Sequence, residues 1–442
     1  MFVDLFINKF KENINKEAFI CGNKVYKYEH LLNRYNYWLD YIMNNLGENK
    51  VVAVQAEHTP DSLTFMLALI ETKNIFVPFS FTNKGIDDKL EIAEAEIFFK
   101  FDGGKFEFKN TGVIAKHALI KELKKRNHPG VIIFSSGSTG KPKAAVHDFS
   151  NLLNKFKVKR DTLRTITFFP FDHWAGTNLL LYILSNAGVI GIPNKISPEV
   201  ICKFIEEFKM ELFPMTPTFM NLLLISKAYE KYDFSSIKVV TYGSEVMLEA
   251  TLKAFHKLFP KIKLKQTYGM TEVGVMRAKS KSSDSLWVKI GGEDYKKKVV
   301  DGILYIKAKT TILGYLNAIA PVDKDGWYYT GDKVIQDGEW FQFLGRVTDI
   351  INVGGDKVYP AEVETVLLEM ENIQEVSVFG KENPIMGTVV AARFNLKNEE
   401  SISSLKKRVR QHCKDKLESF KIPVHIEITD KQQISDRHKK VR

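Results

Sequence analysis

The apolar run Val131-Ile132-Ile133-Phe134 leads directly into Ser135-Ser136-Gly137-Ser138-Thr139-Gly140-Lys141-Pro142-Lys143, and this junction constrains the chain more than any other segment. Apolar residues bounded by Pro129-Gly130 on one side and a Ser/Gly cluster on the other predict a buried strand. A strand ending this way brings backbone N–H groups and the hydroxyls of Ser135, Ser136, Ser138 and Thr139 to one place, and the two glycines let the chain approach a ligand closely. Lys141 and Lys143 add positive charge. The group that needs this combination is a polyphosphate. A flexible Gly/Ser linker has the same composition, but gives no reason for a buried strand before it and a Lys-Pro-Lys after it. The common nucleoside-triphosphate loop is excluded, since it needs four residues between its glycines and a Lys-Ser or Lys-Thr after the second. Here Ser138 and Thr139 alone separate Gly137 from Gly140, and Pro142 follows Lys141.

Upstream, residues 51–55 read as a strand, Thr59-Pro60 as a cap and first turn, 61–73 as an amphipathic helix and 75–78 as the next strand. Such a unit predicts a parallel sheet and an α/β fold. At 442 residues the chain exceeds one ordinary core, so two or more domains are expected. No apolar run reaches the roughly 20 residues that span a bilayer, and Asp4, Lys9, Lys11 and Glu12 break up any secretory leader. A cytoplasmic protein is expected. The cysteines Cys21, Cys202 and Cys413 are too widely spaced for a metal site or a disulfide framework. The net charge of +11 comes from dispersed bases without a basic-aromatic repeat, which argues against nucleic acid and fits anionic small ligands.

Further motifs follow in order: Thr241-Tyr242-Gly243-Ser244-Glu245 after the apolar Val239-Val240, then Gln266-Thr267-Tyr268-Gly269-Met270-Thr271-Glu272, then Asp325-Gly326-Trp327-Tyr328-Tyr329-Thr330-Gly331-Asp332, then Gly345-Arg346-Val347-Thr348-Asp349. Together with the Ser/Gly loop they resemble the adenylate-forming enzymes, the superfamily of acyl-CoA synthetases, peptide-synthetase adenylation domains and firefly-type luciferases, and acyl-CoA synthetases in particular. The resemblance implies that Ser135, Ser136, Gly137, Ser138, Thr139, Gly140 and Lys143 cradle the phosphates of ATP. It implies that Gly243, Ser244, Glu245 and Gly269 line the nucleotide site, that Tyr268 stacks on adenine, and that Thr271 faces the phosphates. Glu272 is the implied Mg²⁺ ligand, and Mg²⁺ does prefer one or two carboxylates plus phosphate oxygens. Asp332 is implied to accept both ribose hydroxyls, which suits an acceptor-only carboxylate; the earlier Asp325-Gly326 also reads as an ordinary turn. Arg346 is implied to contact ribose or phosphate, and Thr348 stands at a hinge where most relatives carry Asp or Lys.

The same resemblance implies a large N-terminal domain of layered sheets and helices over 1–346 and a small mobile C-terminal α/β lid over 347–442. In the lid, helices are expected over 360–370 and 403–417 and strands near 374–379 and 389–395. The similarity runs from about residue 51 to the end. Gly354-Gly355, followed by Asp356-Lys357-Val358-Tyr359-Pro360, resembles acyl-CoA synthetases and places Gly354 and Gly355 at a thiol tunnel. The tail His438-Lys439-Lys440-Val441-Arg442 is similar to a Gly-Lys-x-x-Arg signature, which makes Lys439 the implied catalytic lysine and leaves Lys440 as the alternative. Phe169-Pro170-Phe171-Asp172-His173-Trp174-Ala175-Gly176 resembles the segment beside the acyl pocket. It gives His173 a place in catalysis with Thr271 and Glu272, and His173, Trp174 and Gly176 a place in the pocket. Asp172 is one position away from the amine-binding Asp of amino-acid-activating relatives, which speaks against an α-amino acid; Trp174 reads either as core or as a pocket wall, and as a wall it suits a small or aromatic acid.

The implied activity is ATP-dependent conversion of an organic carboxylic acid to an acyl-adenylate, followed by transfer to the thiol of CoA with release of AMP and pyrophosphate. A phosphopantetheinyl acyl carrier protein is the alternative thiol partner. A degenerate nucleotide- or acyl-binding protein is the reading from another class, and retention of Glu272, Asp332 and Arg346 speaks against it.

Overall fold

The first strand-helix-strand unit forms as its residues direct. Val51–Gln55 and Ile75–Phe79 are parallel neighbours, with Val51 opposite Ile75 and Gln55 opposite Phe79, and the helix Pro60–Glu71 connects them. Thr59 Oγ1 accepts the Ser62 N–H at 3.1 Å while Ser62 Oγ accepts the Thr59 N–H at 2.9 Å, a reciprocal cap with proline in the first turn. The helix stops at Glu71, short of residue 73, because Lys73 takes a left-handed φ of 57° while the Thr72 hydroxyl bonds back to the Ala68 carbonyl at 2.8 Å. The computed structural model describes residues 2–136, 141–292, 294–383, 387–431, 433 and 440, with Ser136 described by its backbone alone.

Three sheets build the large domain. In one, the strands Val51–Gln55, Ile75–Phe79, Gly130–Ser136 and Ile97–Asp102 run parallel, and the hairpin partners Pro142–Asp148 and Lys105–Asn110 are antiparallel. The expected parallel sheet is therefore mixed at its edges. A second sheet carries the parallel strands Lys263–Gln266, Val239–Tyr242, Leu212–Met215, Thr165–Ile166, Ile190–Ile192 and Glu17–Cys21. Between the two lies an apolar core in which the helices Tyr28–Asn45, Pro60–Glu71 and Trp174–Ser185 are packed. This position explains why Pro60–Glu71 is buried around nearly its whole circumference, as a helix covered on both sides must be. The third sheet is antiparallel and runs from Arg277–Ser280 through Val288–Gly291, Trp340–Arg346, Tyr328–Asp337 and Ile303–Ala308 to Tyr295–Val300.

The small domain has its own core, from Ile351 and Val358 to Phe394, Val409 and Ile426. Its helices are Pro360–Leu368 and Ile402–Cys413, and its strands Ile373–Asn383 and Gly387–Leu396 extend beyond the expected ranges. A third strand, His425–Ile428, joins Gly387–Leu396 in parallel. No helix among the described residues is long and apolar enough to cross a membrane, and the three cysteines are free thiols.

Phe65 sits at the centre of the aromatic core, fully buried, with its ring 4.5 Å from Phe99, 5.1 Å from Trp38 and 5.3 Å from Phe101. Truncation there removes a large apolar group and leaves a cavity. Phe65→Ala is expected to cost about 3–5 kcal/mol, read as a lowered urea midpoint.

Candidate functional site

The parallel strands Val239–Tyr242 and Lys263–Gln266 are neighbours, so the segments that follow them emerge side by side at the carboxyl edge of the sheet, where open α/β sheets bind ligands. Gly243 is required there. A Cβ on it would lie 2.4 Å from Thr267 Oγ1 and 2.8 Å from the Thr267 carbonyl oxygen. Ser244 has a left-handed φ of 68°, a conformation that a non-glycine residue holds at a cost and that clusters at ligand sites. Gly269 is tight as well: a Cβ would lie 2.8 Å from the Val275 Cα. Ser244, Glu245, Tyr268 and Gly269 line a cleft of about 290 Å³ with Asp332, Phe343 and Arg346, and the small domain closes one side with Glu364, Ser377 and Lys440.

At one end of the segment Tyr268–Glu272 lies a buried acidic centre. Asp332 is 9% exposed; it accepts the Tyr268 hydroxyl at 2.5 Å and pairs with Arg346 Nε at 2.7 Å. Burial pushes its carboxyl up from the ordinary range, while Arg346 and the Tyr268 hydroxyl oppose that shift. Burial and the neighbouring Asp332 also push the Tyr268 phenol far up. For Arg346, burial alone would lower the guanidinium, but Asp332 and Tyr268 hold it above its usual value. One face of the Tyr268 ring is stacked on Phe343, with centroids 4.4 Å apart. Thr330 sets the backbone: its hydroxyl bonds the Leu304 carbonyl at 2.7 Å and receives the Asp332 N–H at 3.0 Å.

At the other end, Glu272 is 8% exposed, and its Oε1 accepts the Tyr315 hydroxyl at 2.7 Å and Ser135 Oγ at 3.4 Å. The strand pairing Ser135 opposite Lys143 brings the lysine alongside, and Lys143 Nζ lies 5.6 Å from the centre of the Tyr315 ring. Tyr315 reaches this place because Gly314–Tyr315 pairs with Val146 and Ala145. Burial, and then the Glu272 charge, push its phenol far up, so it stays a donor. Glu272 Oε2 has no described partner. A single carboxylate with a free oxygen, beside hydroxyls and a lysine, fits a hard cation that takes its other ligands from phosphate. Among the described residues there is no cluster of three or more acidic, His or Cys groups that would hold a metal alone.

His147 anchors the segment beside Glu272. The Thr271 carbonyl accepts from its Nε2–H at 2.6 Å, which assigns the neutral tautomer, and Trp174 stacks on the same ring with centroids 5.9 Å apart. Trp174 is 3% exposed and begins the helix Trp174–Ser185, for which His173 is the N-cap residue. His173 stacks on Phe169 at 5.8 Å. A Cβ on Gly176 would lie 3.1 Å from Phe169 Cβ. His173, Trp174 and Gly176 therefore form a group of their own, joined to Thr271 through His147, and are not among the residues lining the cleft. Gly354 and Gly355 occupy the turn between Ile351–Val353 and Asp356–Val358, where the Gly355 N–H bonds Asn352 Oδ1 at 3.0 Å, and they too are apart from the cleft. Gly137, Ser138, Thr139, Gly140 and Lys439, and the side chain of Ser136, lie outside the described residues. Sequence reasoning did not find His147, Tyr315, Thr330 or Phe343. Tyr315 is placed by strand register and Thr330 by its position two residues before Asp332.

His58 and His147 give the site a pH dependence. Burial lowers each from 6.5 to about 4, against backbone hydrogen bonds that favour the charged ring. Unfolding frees both to protonate, so their contribution is complete above pH 6.5 and is lost as the pH falls toward about 4. Between pH 7 and pH 5 each is expected to remove roughly 2 kcal/mol of stability. His147→Gln keeps a donor for Thr271 but does not titrate, and should flatten the pH profile of urea unfolding by about that amount.

Residues 7–316 match the family of AMP-binding enzymes, and residues 362–439 match the AMP-binding enzyme C-terminal domain, so the similarity begins well before residue 51. Indoleacetate–CoA ligase of Aromatoleum aromaticum is 29% identical over 291 residues, 60% of this chain and 56% of that protein. 4-Coumarate–CoA ligase 1 of Arabidopsis thaliana is 29% identical over 303 residues, 61% of this chain and 54% of that protein. The chain thus spans little more than half the length of these curated relatives. The structure of the anthranilate CoA ligase AuaEII with anthranoyl-AMP superimposes with a TM-score of 0.83 at 18% identity, covering 99% of this chain and 95% of that one, which establishes a shared fold. The chain belongs to the AMP-binding enzyme family, the adenylate-forming superfamily of the acyl-CoA synthetases.

Proposed function

We propose that this protein activates an organic carboxylic acid with ATP and passes the acyl group to the thiol of CoA. The observation that carries the reading is the two-ended segment Tyr268–Glu272: Tyr268 meets Asp332, which is paired with Arg346, and Glu272 meets Ser135 and Tyr315. One end suits a nucleoside and the other a polyphosphate. Tyr268 offers a ring to adenine and Asp332 two acceptor oxygens to ribose. Ser135, Lys143 and Thr271, with the loop 136–140, take the phosphates, beside Gly243, Ser244, Glu245 and Gly269.

In the first half-reaction a carboxylate oxygen attacks the α-phosphorus and pyrophosphate leaves. Two anions meet, so positioning and positive potential dominate the barrier. Lys143, Arg346 and the tail lysine Lys439 supply that potential in this reading, and Glu272 is the residue that would hold Mg²⁺, which neutralises phosphate charge when bound. In the second half-reaction a thiol sulfur attacks the acyl carbon and AMP leaves. By the resemblance the lid turns between the two steps about a hinge at Arg346 to Asp349, which places the domain boundary after residue 346. The turn also brings Gly354 and Gly355 toward the thiol. His173 gates the carboxylate and Trp174 and Gly176 wall the acyl end. A flat, enclosed Trp174 favours a small or aromatic acid, as do the indoleacetate, 4-coumarate and anthranilate ligases among the relatives. Those proteins are CoA ligases, which favours CoA over a carrier protein.

The assignment of Lys439 over Lys440 has support from the neighbouring residue, because the Lys440 ammonium is already paired with Glu364 at 3.0 Å. The test is pyrophosphate release with benzoate, indoleacetate, 4-coumarate and butyrate, with and without CoA. Release that depends on an acid, and thioester formation that depends on CoA, are expected; no release with any acid would overturn the reading. Lys439→Ala is expected to lower the first half-reaction about 10²–10³-fold, the loss typical of one preorganised donor.

A further inference from the structure

Lys440 makes three contacts of different kinds. Its Nζ is 3.0 Å from Glu364 Oε2 and donates to the Val376 carbonyl at 2.9 Å. Its backbone N–H donates to Glu245 Oε1 at 2.6 Å. Glu364 belongs to the helix Pro360–Leu368 and is fully buried; its other oxygen accepts the Val378 N–H at 3.0 Å. A carboxylate withdrawn from water this completely needs a counter-charge, and Lys440 supplies it. Glu245 belongs to the large domain, where its Oε2 accepts the Thr218 N–H at 3.2 Å at the start of the helix Pro217–Ser226. The side chain of Lys440 is thus held within the small domain, while its main chain is held by the large one. All of this borders the cleft that contains Tyr268, Asp332 and Arg346.

We infer that Lys440 is a positioning residue: its ion pair with Glu364 ties position 440 to the small domain, and its N–H on Glu245 holds that position at the nucleotide cleft for the first half-reaction. The inference rests on the proposed adenylation chemistry. The two links differ in what happens when the lid turns. The Glu364 pair is internal to the lid and travels with it, whereas the Glu245 bond crosses between domains and must break. Weakening the pin therefore affects the step that needs the docked tail and spares the step that follows the turn. Position 440 directly follows Lys439 in the chain, so register lost at one is lost at the other.

The test compares wild type with Lys440→Arg and with the double variant Glu364→Gln/Lys440→Met, which leaves no uncompensated buried charge and so keeps the lid folded. Two rates are measured, benzoate-dependent ATP–pyrophosphate exchange and thioester formation from synthetic benzoyl-adenylate and CoA. The double variant is expected to lose about 10- to 100-fold in exchange, the scale of a misplaced catalytic group, with thioester formation kept within about twofold and Lys440→Arg close to wild type. Unchanged exchange, or an equal fall in both rates, would overturn the inference, the second because it marks a purely structural pair. Hydrogen exchange of the ligand-free proteins separates this from a failure of the proposed chemistry. If benzoate is not a substrate, faster exchange at the amides of residues 440 and 218 in the double variant supports the pin, and equal protection overturns it.

Discussion

The hydrogen bond from the buried His147 ring to the Thr271 carbonyl, 2.6 Å long, joins two parts of the molecule that the chain separates by more than a hundred residues. His147 lies on the strand that returns from the Ser/Gly loop, and Thr271 lies between Tyr268 and Glu272. The bond thus fixes the strand Pro142–Asp148 against the segment that runs from the Asp332 centre to the Glu272 centre. The ring is neutral near neutral pH because burial opposes its charged form, so the Nε2–H donor meets the carbonyl with no ion to desolvate. Trp174 closes the other side of the ring. The same imidazole therefore joins the strand Pro142–Asp148, the segment Tyr268–Glu272 and the helix Trp174–Ser185.

Much of this was legible because it is local. The cap at Thr59-Pro60, the buried strand before the Ser/Gly loop and the helix after Pro360 each follow from a few neighbouring residues, and all are present. The site residues Tyr268, Glu272, Asp332 and Arg346 lie in short motifs, and the fold brings Tyr268, Asp332 and Arg346 into contact and Glu272 against Tyr315. What was missed depends on register. Tyr315 reaches Glu272 through pairing of Gly314–Tyr315 with the hairpin strand, and nothing around residue 315 announces this. Thr330 matters because Asp332 lies two residues on along the same strand. The helix Tyr28–Asn45 carries a local signal too, since Leu31, Tyr35, Trp38 and Ile42 are spaced for one buried face.

Charge is arranged economically around the site. Of the chain's excess of bases, few enter it, and those that do meet a specific counterpart: Arg346 meets Asp332 and Lys440 meets Glu364. Lys143 instead faces the Tyr315 ring, and among the described residues no carboxylate pairs with its ammonium. An ion pair there would cancel the potential that an incoming anion needs. Surface pairs such as Lys231 with Glu199 contribute little by comparison, since water screens them.

The two half-reactions proposed for this site would require a lid whose reorientation is inexpensive, and the packing is compatible with that. The core of the small domain, from Ile351 to Ile428, is complete in itself, so turning the lid does not pull apolar residues out of a shared interior. A link across the boundary is polar: Glu245 receives the Lys440 N–H. Such bonds exchange for bonds to water at a net cost of about 1 kcal/mol each, against the 2–5 kcal/mol per side chain that opening a hydrophobic core would demand. Thr348 fits this account, because its hydroxyl bonds the adjacent Asp349 at 3.2 Å and ties the hinge to neither domain's interior. A hinge needs backbone freedom rather than a fixed charge, and the small domain supplies its own stability at either orientation.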